Sequence, residues 1–312
     1  VNISGRFENT VPTVEDIQDT VEKVLIEAGH AKTAKEYILY RAERSRVREM
    51  DTRLMQVFHD LTFKESKDVD LKRENANIDG DTAMGTMLKY GSESAKQFYD
   101  LFVLNPEHSQ AHKSGAIHIH DLDFLTLTTT CCQIDIVDLF KDGFSTGHGF
   151  LREPNDILSY SALACIAIQS NQNDQHGGQS IPNFDYGMAI GVKKTYVKFY
   201  RQNLRKGTEI LLDNIDLEEN LDNIFSILEK EYGLLPQLGK NDDYKTKERE
   251  YLLELLEDEE TVKRIQRFAR DNAYKDTDKR TFQAMEALIH NLNTMHSRAG
   301  AQIPFSSINY GT

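Results

Sequence analysis

Apolar residues recur at helical spacing from the start of the chain. Val14, Ile17, Val21, Val24, Leu25 and Ala28 share one helix face, Thr13 and Asp16 hold capping-box positions after Pro12, and Gly29 is a stop. A second helix is predicted over 32–48, carrying Ala34, Tyr37 and Ile38 with Arg41, Arg44, Arg46 and Arg48. Residues 62–81 are polar and Gly-punctuated, heavily charged from Lys64 to Lys72, and read as a linker. Another helix is predicted over 82–103, ending before Asn105 and Pro106. At Ala116 the texture changes. Ile117 and Ile119 alternate with His118 and His120, a period of two that predicts a strand, and the Thr, Leu and Ile content of 124–136 predicts another. Residues 143–149 read as a Gly/Ser/Thr loop, Arg152, Glu153 and Pro154 as a helix start, and 157–168 as a buried helix. Residues 169–183, around Gly177 and Gly178, read as a long polar loop of the kind that carries function. A helix is predicted over 186–206. From Glu209 to Met295 the chain is charged, helical and rich in opposite-charge pairs, interrupted at Gly233, Pro236 and Gly239, and 301–308 returns to strand texture.

Composition narrows the class. The 312 residues suit one large domain or two, and 39% hydrophobic with 28% charged residues suits a globular chain with a sizeable core. No run of about 18 apolar residues is present, so no membrane partner is expected. Three cysteines, two of them adjacent, make no disulfide framework and fit a reducing cytoplasm. With 37 Lys and Arg against 50 Asp and Glu, a net charge of −13 excludes a general DNA binder, whose affinity comes from neutralised phosphates. A local cluster of donors still suffices to hold one nucleotide. The chain starts at Val1 and stops at Thr312 in a turn-like sequence, which reads as an excerpt of a longer protein.

Candidate chemistry concentrates in a few places. On a strand, His118 and His120 would leave from one face beside Asp121 and Asp123, as a metal site, an acid/base pair or a His pair satisfied by carboxylates. No CxxC, HExxH, Walker or GxGxxG pattern is present, and no metal is expected in this chain. Cys131 and Cys132 on a strand would face opposite sides, beside Thr and Gln that a purely apolar core would disfavour. Cys165, inside an apolar helix, reads as a small buried hydrophobe. Gln175 to Ser180 joins glycine freedom to hydrogen-bonding side chains. Lys193, Lys194 and Lys198 on one helix make either a phosphate clamp or a solvated face.

Five stretches together resemble the anaerobic (class III) ribonucleoside-triphosphate reductases: Ala116 to Phe124, Thr130 to Asp135, Gly143 to Phe150, Ser170 to Asp185 and Gln302 to Gly311. Val11 to Glu49 resembles the later helices of the ATP-cone domain. The resemblance implies an α/β fold, the first part of a ten-stranded glycyl-radical barrel over 82–312, behind an α-helical ATP-cone remnant over 1–60 and a linker over 61–81. It implies radical reduction of ribonucleoside triphosphates, with formate as reductant. Cys131 or Cys132 would take part in the reduction, and His118 would line the substrate or formate site. His120, Gln179, Ser180, Ser306, Ser307 and Asn309 are the expected substrate contacts. Glu153, Lys193, Lys194 and Lys198 are expected to hold a deoxynucleotide effector. The glycyl radical and a structural zinc would be carried by residues outside this chain, which would leave the excerpt inactive alone. ATP and deoxynucleotide effectors, a radical-SAM activating enzyme and a homodimer are the implied partners. A non-catalytic nucleotide-binding fragment and a formate-lyase-like glycyl-radical enzyme are the rival readings, and paired CxxC motifs after Thr312 would separate the reductase from the lyase.

Overall fold

A computed structural model describes residues 11–50, 53–63, 82–125, 129–212, 217–239, 242–295 and 305–311. These fall into two compact units, one within Val1–Glu74 and Thr86–Asp123, the other within Asn75–Gly85 and Phe124–Thr312. Residues 64–81, most of the expected linker, lie outside the described residues, and Leu61 to Phe63 are the end of a helix.

The first unit is helical. Helix α1 (Val14–Glu27) opens on the expected capping box: Asp16 N donates to Thr13 Oγ1 at 3.2 Å and Thr13 N to Asp16 Oδ2 at 2.9 Å. Helix α2 (Ala31–Met50) turns back on it. Arg41 reaches Glu15, Asp19 and Glu22 on α1, the last at 2.8 Å, and these carboxylates raise its guanidinium further above its ordinary value. Helix α3 (Arg53–Phe63) meets α4 (Ala83–Phe98) through Phe58 and Tyr90, whose rings lie 4.7 Å apart. A π-turn (Tyr99–Val103) closes α4, and α5 (Pro106–Lys113) follows with Pro at its first turn and Asn105 as its cap. The expected strand at 117–120 is not there. Gly115 and Asp121 both adopt positive φ, and the chain runs through turns into a 3-10 segment at Leu122–Phe124. Four alternating residues with no ladder partner do not hold an extended conformation.

The second unit places helices over one face of a small parallel sheet. Strand β1 (Thr130–Gln133) pairs with β4 (His176–Ile181), and β4 with β5 (Ser306–Ile308), in the order β1-β4-β5. The strand expected over 124–136 is thus short. Asp135 instead caps α6 (Ile136–Lys141), accepting from Val137 and Asp138 amides at 3.0 and 3.3 Å. The expected loop at 143–149 is a hairpin of β2 (Phe144–Ser145) and β3 (Phe150–Leu151). Helix α7 (Ile157–Asp174) begins at an Asp156 capping box, so Arg152, Glu153 and Pro154 precede it and do not start it. The expected loop at 169–183 is the end of α7 followed by β4. Among the described residues the parallel sheet has three strands; a ten-stranded barrel is not seen.

Two long antiparallel helices, α8 (Phe184–Leu212) and α11 (Glu259–Thr294), run through both cores of this unit. The first core joins Ile136, Phe140, Ile157, Ile168 and Ile181 to Phe184 and Met188 of α8 and to Ala284 and Leu288 of α11. The second joins Tyr196, Tyr200 and Leu204 of α8 and Val262, Ile265 and Ala269 of α11 to α9 (Glu218–Lys230) and α10 (Asp242–Leu256). Contact is at glycine distance: a Cβ on Gly191 would lie 2.8 Å from the Tyr160 ring, and one on Gly187 2.4 Å from Ile136. Gly191→Ala is therefore expected to cost about 1–3 kcal/mol of stability through overpacking. Denaturant unfolding of wild type and variant checks this; equal midpoints would show that α7 yields freely.

Candidate functional site

The geometry around Cys131 and Cys132 starts from an irregularity in the sheet. Thr130 pairs with His176 but Cys132 with Gln179, so the register slips at Cys131. Cys131 has φ +25 and sits exposed, a conformation that costs an L side chain and that β-bulges next to functional sites use. Opposite it, Gly177 has φ +94, and a Cβ there would lie 3.0 Å from Cys131 Sγ. Glycine is required twice over, for its backbone angle and for the room it leaves the thiol.

Cys132 turns the other way, to the helix-covered face, where Asn171 Nδ2 approaches its sulfur at 3.0 Å. The same Nδ2 donates to Gln179 Oε1 at 2.6 Å, and Gln179 Nε2 donates to Ile168 O at 2.9 Å and Gln172 Oε1 at 3.0 Å. Gln179, only 4% exposed, thus has its amide bonded between sheet and helix. Register rows sort the remaining expected contacts. Gln133, Ser180 and Ser307 lie in one row on the face away from α7; Cys132, Gln179 and Ser306 lie in the adjacent row toward it. Ser306 Oγ is buried and has no hydrogen-bond partner among the described residues. Asn309 closes the sheet end, its N–H donating to Ile181 O at 3.0 Å and its carbonyl accepting from Phe184 N at 3.2 Å. His176, buried at the start of β4, stacks on Phe124 at 4.1 Å; within the Gln175 to Ser180 stretch it is expected on a loop, where no such stacking is foreseen.

His118 and His120 belong to the first unit. Both are exposed. Their rings are 6.1 Å apart, His118 lies 5.6 Å from His112, and His120 Nδ1 is 2.5 Å from Asp121 Oδ2. Since no strand forms, shared strand geometry does not place them. Among the described residues no group of three or more His, Cys, Asp or Glu is arranged to hold a metal ion, and no helix is long and apolar enough to cross a membrane.

The expected effector residues meet at the start of α7. Lys194 bonds Glu153 and donates to Pro154 O at 3.0 Å, with its ammonium 5.5 Å from the Tyr160 ring centre. Burial would lower the Lys194 ammonium, but Glu153 and Tyr160 outweigh it and hold it above its ordinary value. Lys198 lies 3.7 Å from Asp156, and Lys193 is exposed on the same helix. Asp156 caps α7, while the Ile157 N–H at the next position donates to Thr195 Oγ1 of α8 at 2.8 Å. Three of the four expected side chains therefore sit in ion pairs, Lys194 with Glu153 and Lys198 with Asp156.

Comparison with known proteins adds a family. A family model described as anaerobic ribonucleoside-triphosphate reductase matches residues 74–312, and one described as ATP cone domain matches residues 1–46. The anaerobic ribonucleoside-triphosphate reductase of Escherichia coli (strain K12) is 29% identical over 187 residues, 59% of this chain and 26% of that protein. That of Enterobacteria phage T4 is 31% identical over 147 residues, 44% of this chain and 23% of that protein. The matched stretch thus spans about a quarter of the length of these relatives.

Gly177→Ala is expected to destabilise the chain by more than about 1 kcal/mol and to displace the Cys131 thiol. Unfolding midpoints and the rate at which Cys131 reacts with a thiol reagent, measured with Cys132 and Cys165 replaced, check both parts. Unchanged values in both would remove Gly177 from the site.

Proposed function

The chain belongs to the anaerobic ribonucleoside-triphosphate reductase family, and from that premise we propose that it supplies the thiol-bearing strand of an enzyme that reduces ribonucleoside triphosphates to deoxyribonucleoside triphosphates. The observation that carries this reading is Cys131. Its thiol stands on a strained bulge, exposed, on the face of the sheet that no helix covers among the described residues, and held over a glycine. A soft S–H placed this way is a good hydrogen-atom donor, and the neighbouring Gln133, Ser180 and Ser307 provide hydrogen-bonding groups for a sugar hydroxyl. Cys132, on the helix side, has the structural part.

With formate as reductant the overall change balances: formic acid gives two hydrogens and leaves as carbon dioxide, and the ribose 2′ oxygen leaves as water. A glycyl radical, which the family resemblance puts on residues outside this chain, would supply the capacity to begin hydrogen-atom abstraction. Among the described residues the parallel sheet is covered by helices on one face and open on the other, as part of a ten-stranded barrel would be. His118 as the residue managing the proton lost with water rests on the family resemblance alone, as do His120, Ser306 and Asn309 as substrate contacts, the structural zinc, the radical-SAM activating enzyme and the homodimer. Gln179, with its amide already bonded in the protein, serves by fixing β4 against α7. The ATP-cone match over 1–46 supports regulation by ATP and deoxynucleotides.

Cys131→Ser in the full-length protein is expected to abolish deoxynucleotide formation while leaving nucleotide affinity and melting temperature near wild type. Cys132→Ser should chiefly lower the melting temperature. Comparable residual turnover in the two variants would overturn the assignment.

The Glu153, Lys193, Lys194 and Lys198 group is proposed as the effector site, with Lys198 the phosphate contact and Glu153 a sugar-hydroxyl contact. Loss of one charge-assisted contact in Lys198→Ala should weaken binding of a deoxynucleoside triphosphate by about 1.5–3 kcal/mol. Calorimetry of wild type, Lys198→Ala and Glu153→Ala measures it, and unchanged affinity in both variants would place the effector elsewhere.

A further inference from the structure

The second core encloses polar chemistry that the reductase reading does not use. Glu248 is fully buried on α10 and accepts hydrogen bonds from Tyr200 OH at 2.6 Å, Tyr244 OH at 2.8 Å and Gln266 Nε2 at 2.9 Å. Beside this knot is a cavity of about 500 Å³, within the range of small-molecule sites. Tyr196, Tyr200 and Tyr244 form its aromatic side. The hydroxyls of the last two are bound to Glu248, so what they offer a ligand is ring surface.

Five cationic side chains also line it. Lys245 and Arg249, one turn apart on α10, face Lys263, Arg267 and Arg270 of α11. Lys263 pairs with Glu259 at 2.7 Å and Arg270 with Asp271 at 2.8 Å, which leaves Lys245, Arg249 and Arg267 in no ion pair among the described residues. Asp242 also lines the cavity. Burial raises the Glu248 carboxyl, against the three hydrogen bonds that favour its ionised form. In a chain of net charge −13 this is a local excess of the opposite sign.

Two buried polar atoms at the cavity have no partner among the described residues. Gln266, 4% exposed, uses its Nε2 on Glu248 and on Lys245 O, while its Oε1 accepts from nothing described. Arg249 Nε is likewise buried without an acceptor. Such groups carry a desolvation cost unless something fills their valence. A ligand that meets both must bring an anionic acceptor for Arg249 and an N–H or O–H donor for Gln266. It must also have a flat apolar part for the tyrosines.

We propose that this cavity is a binding site for a nucleoside di- or triphosphate, its phosphates on Lys245, Arg249 and Arg267 and its base or sugar donating to Gln266 Oε1 beside the tyrosine rings. None of these residues belongs to the thiol strand or to the Glu153 and Lys198 group, so the test below succeeds or fails independently of the reductase reading.

Hydrogen–deuterium exchange of the full chain, with and without ATP, reads this site separately from any other that ATP occupies. ATP is expected to protect amides in 244–250 and 263–270. The exposed Lys245→Ala, Arg267→Ala double variant should need at least about tenfold more ATP for the same protection, at unchanged melting temperature. Inorganic tripolyphosphate should bind at least about tenfold more weakly than ATP, having no group for Gln266. Absence of protection at millimolar ATP, or protection unaltered in the double variant, would overturn the proposal. Tripolyphosphate binding as tightly as ATP would overturn it too, leaving an anion patch without nucleoside recognition.

Discussion

Helix α8 has to lie close enough to its neighbours for bare glycine to be the only residue that fits. Gly187 against Ile136 and Gly191 against Tyr160 set that separation, and Gly207 repeats it against Phe268 of α11, where an added Cβ would stand 2.9 Å from the ring. Because α8 and α11 pass through both cores, this spacing couples the helices behind the sheet to those around α10. Each large apolar side chain buried along the pair contributes on the order of 1.5–3 kcal/mol. Buried Ala269, Ala273 and Ala284 let α11 approach as closely on its own side.

The backing of the sheet follows from that spacing, and the division of the two thiols follows from the backing. A parallel strand packed by helices on one side alone has a helix face and an open face, and adjacent residues divide between them. Cys132 goes under α7 to Asn171, while the bulge at Cys131 and the positive φ of Gly177 free the other thiol. The helix face of β4 carries a polar residue beside the apolar Ile181. Gln179 takes a core position, tolerated because Asn171, Gln172 and the Ile168 carbonyl complete its hydrogen bonds. Replacing Asn171 would leave the buried Gln179 Oε1 without its donor, so the strand carrying the open-face groups depends on side chains on its opposite side.

Charge is organised the same way, by local arrangement against an acidic whole. Arg41 gathers three carboxylates between α1 and α2, and Lys194 and Lys198 answer Glu153 and Asp156 at the start of α7. At the α10 and α11 cavity the balance reverses, with cations in excess and a carboxylate buried beneath them. Only such enclaves can hold a phosphate in a chain of this net charge.

Local periodicity and capping determined much of the helical framework without any tertiary information. Thr13 and Asp16 marked the start of α1, and the spacing of apolar residues found α2, α4 and α8, because caps and amphipathic faces are encoded within a few residues. The Cys-Cys pair was legible as a strand for the same reason. Tertiary structure decided what local pattern leaves open. The alternation at 117–120 looked like a strand, yet Gly115 and Asp121 turn the chain there, since a strand needs a partner as well as a pattern. Residues 176–181 looked like a loop, yet they are β4, paired on both sides by β1 and β5, and the Gln179 side chain finds hydrogen bonds on α7 that no window of sequence displays. The stretch after Glu209 read as charged helix rich in opposite-charge pairs; the fold of α10 against α11 also brings Lys245, Arg249 and Arg267 together around one cavity. Contacts between residues far apart in sequence fix these outcomes, and only the folded chain supplies them.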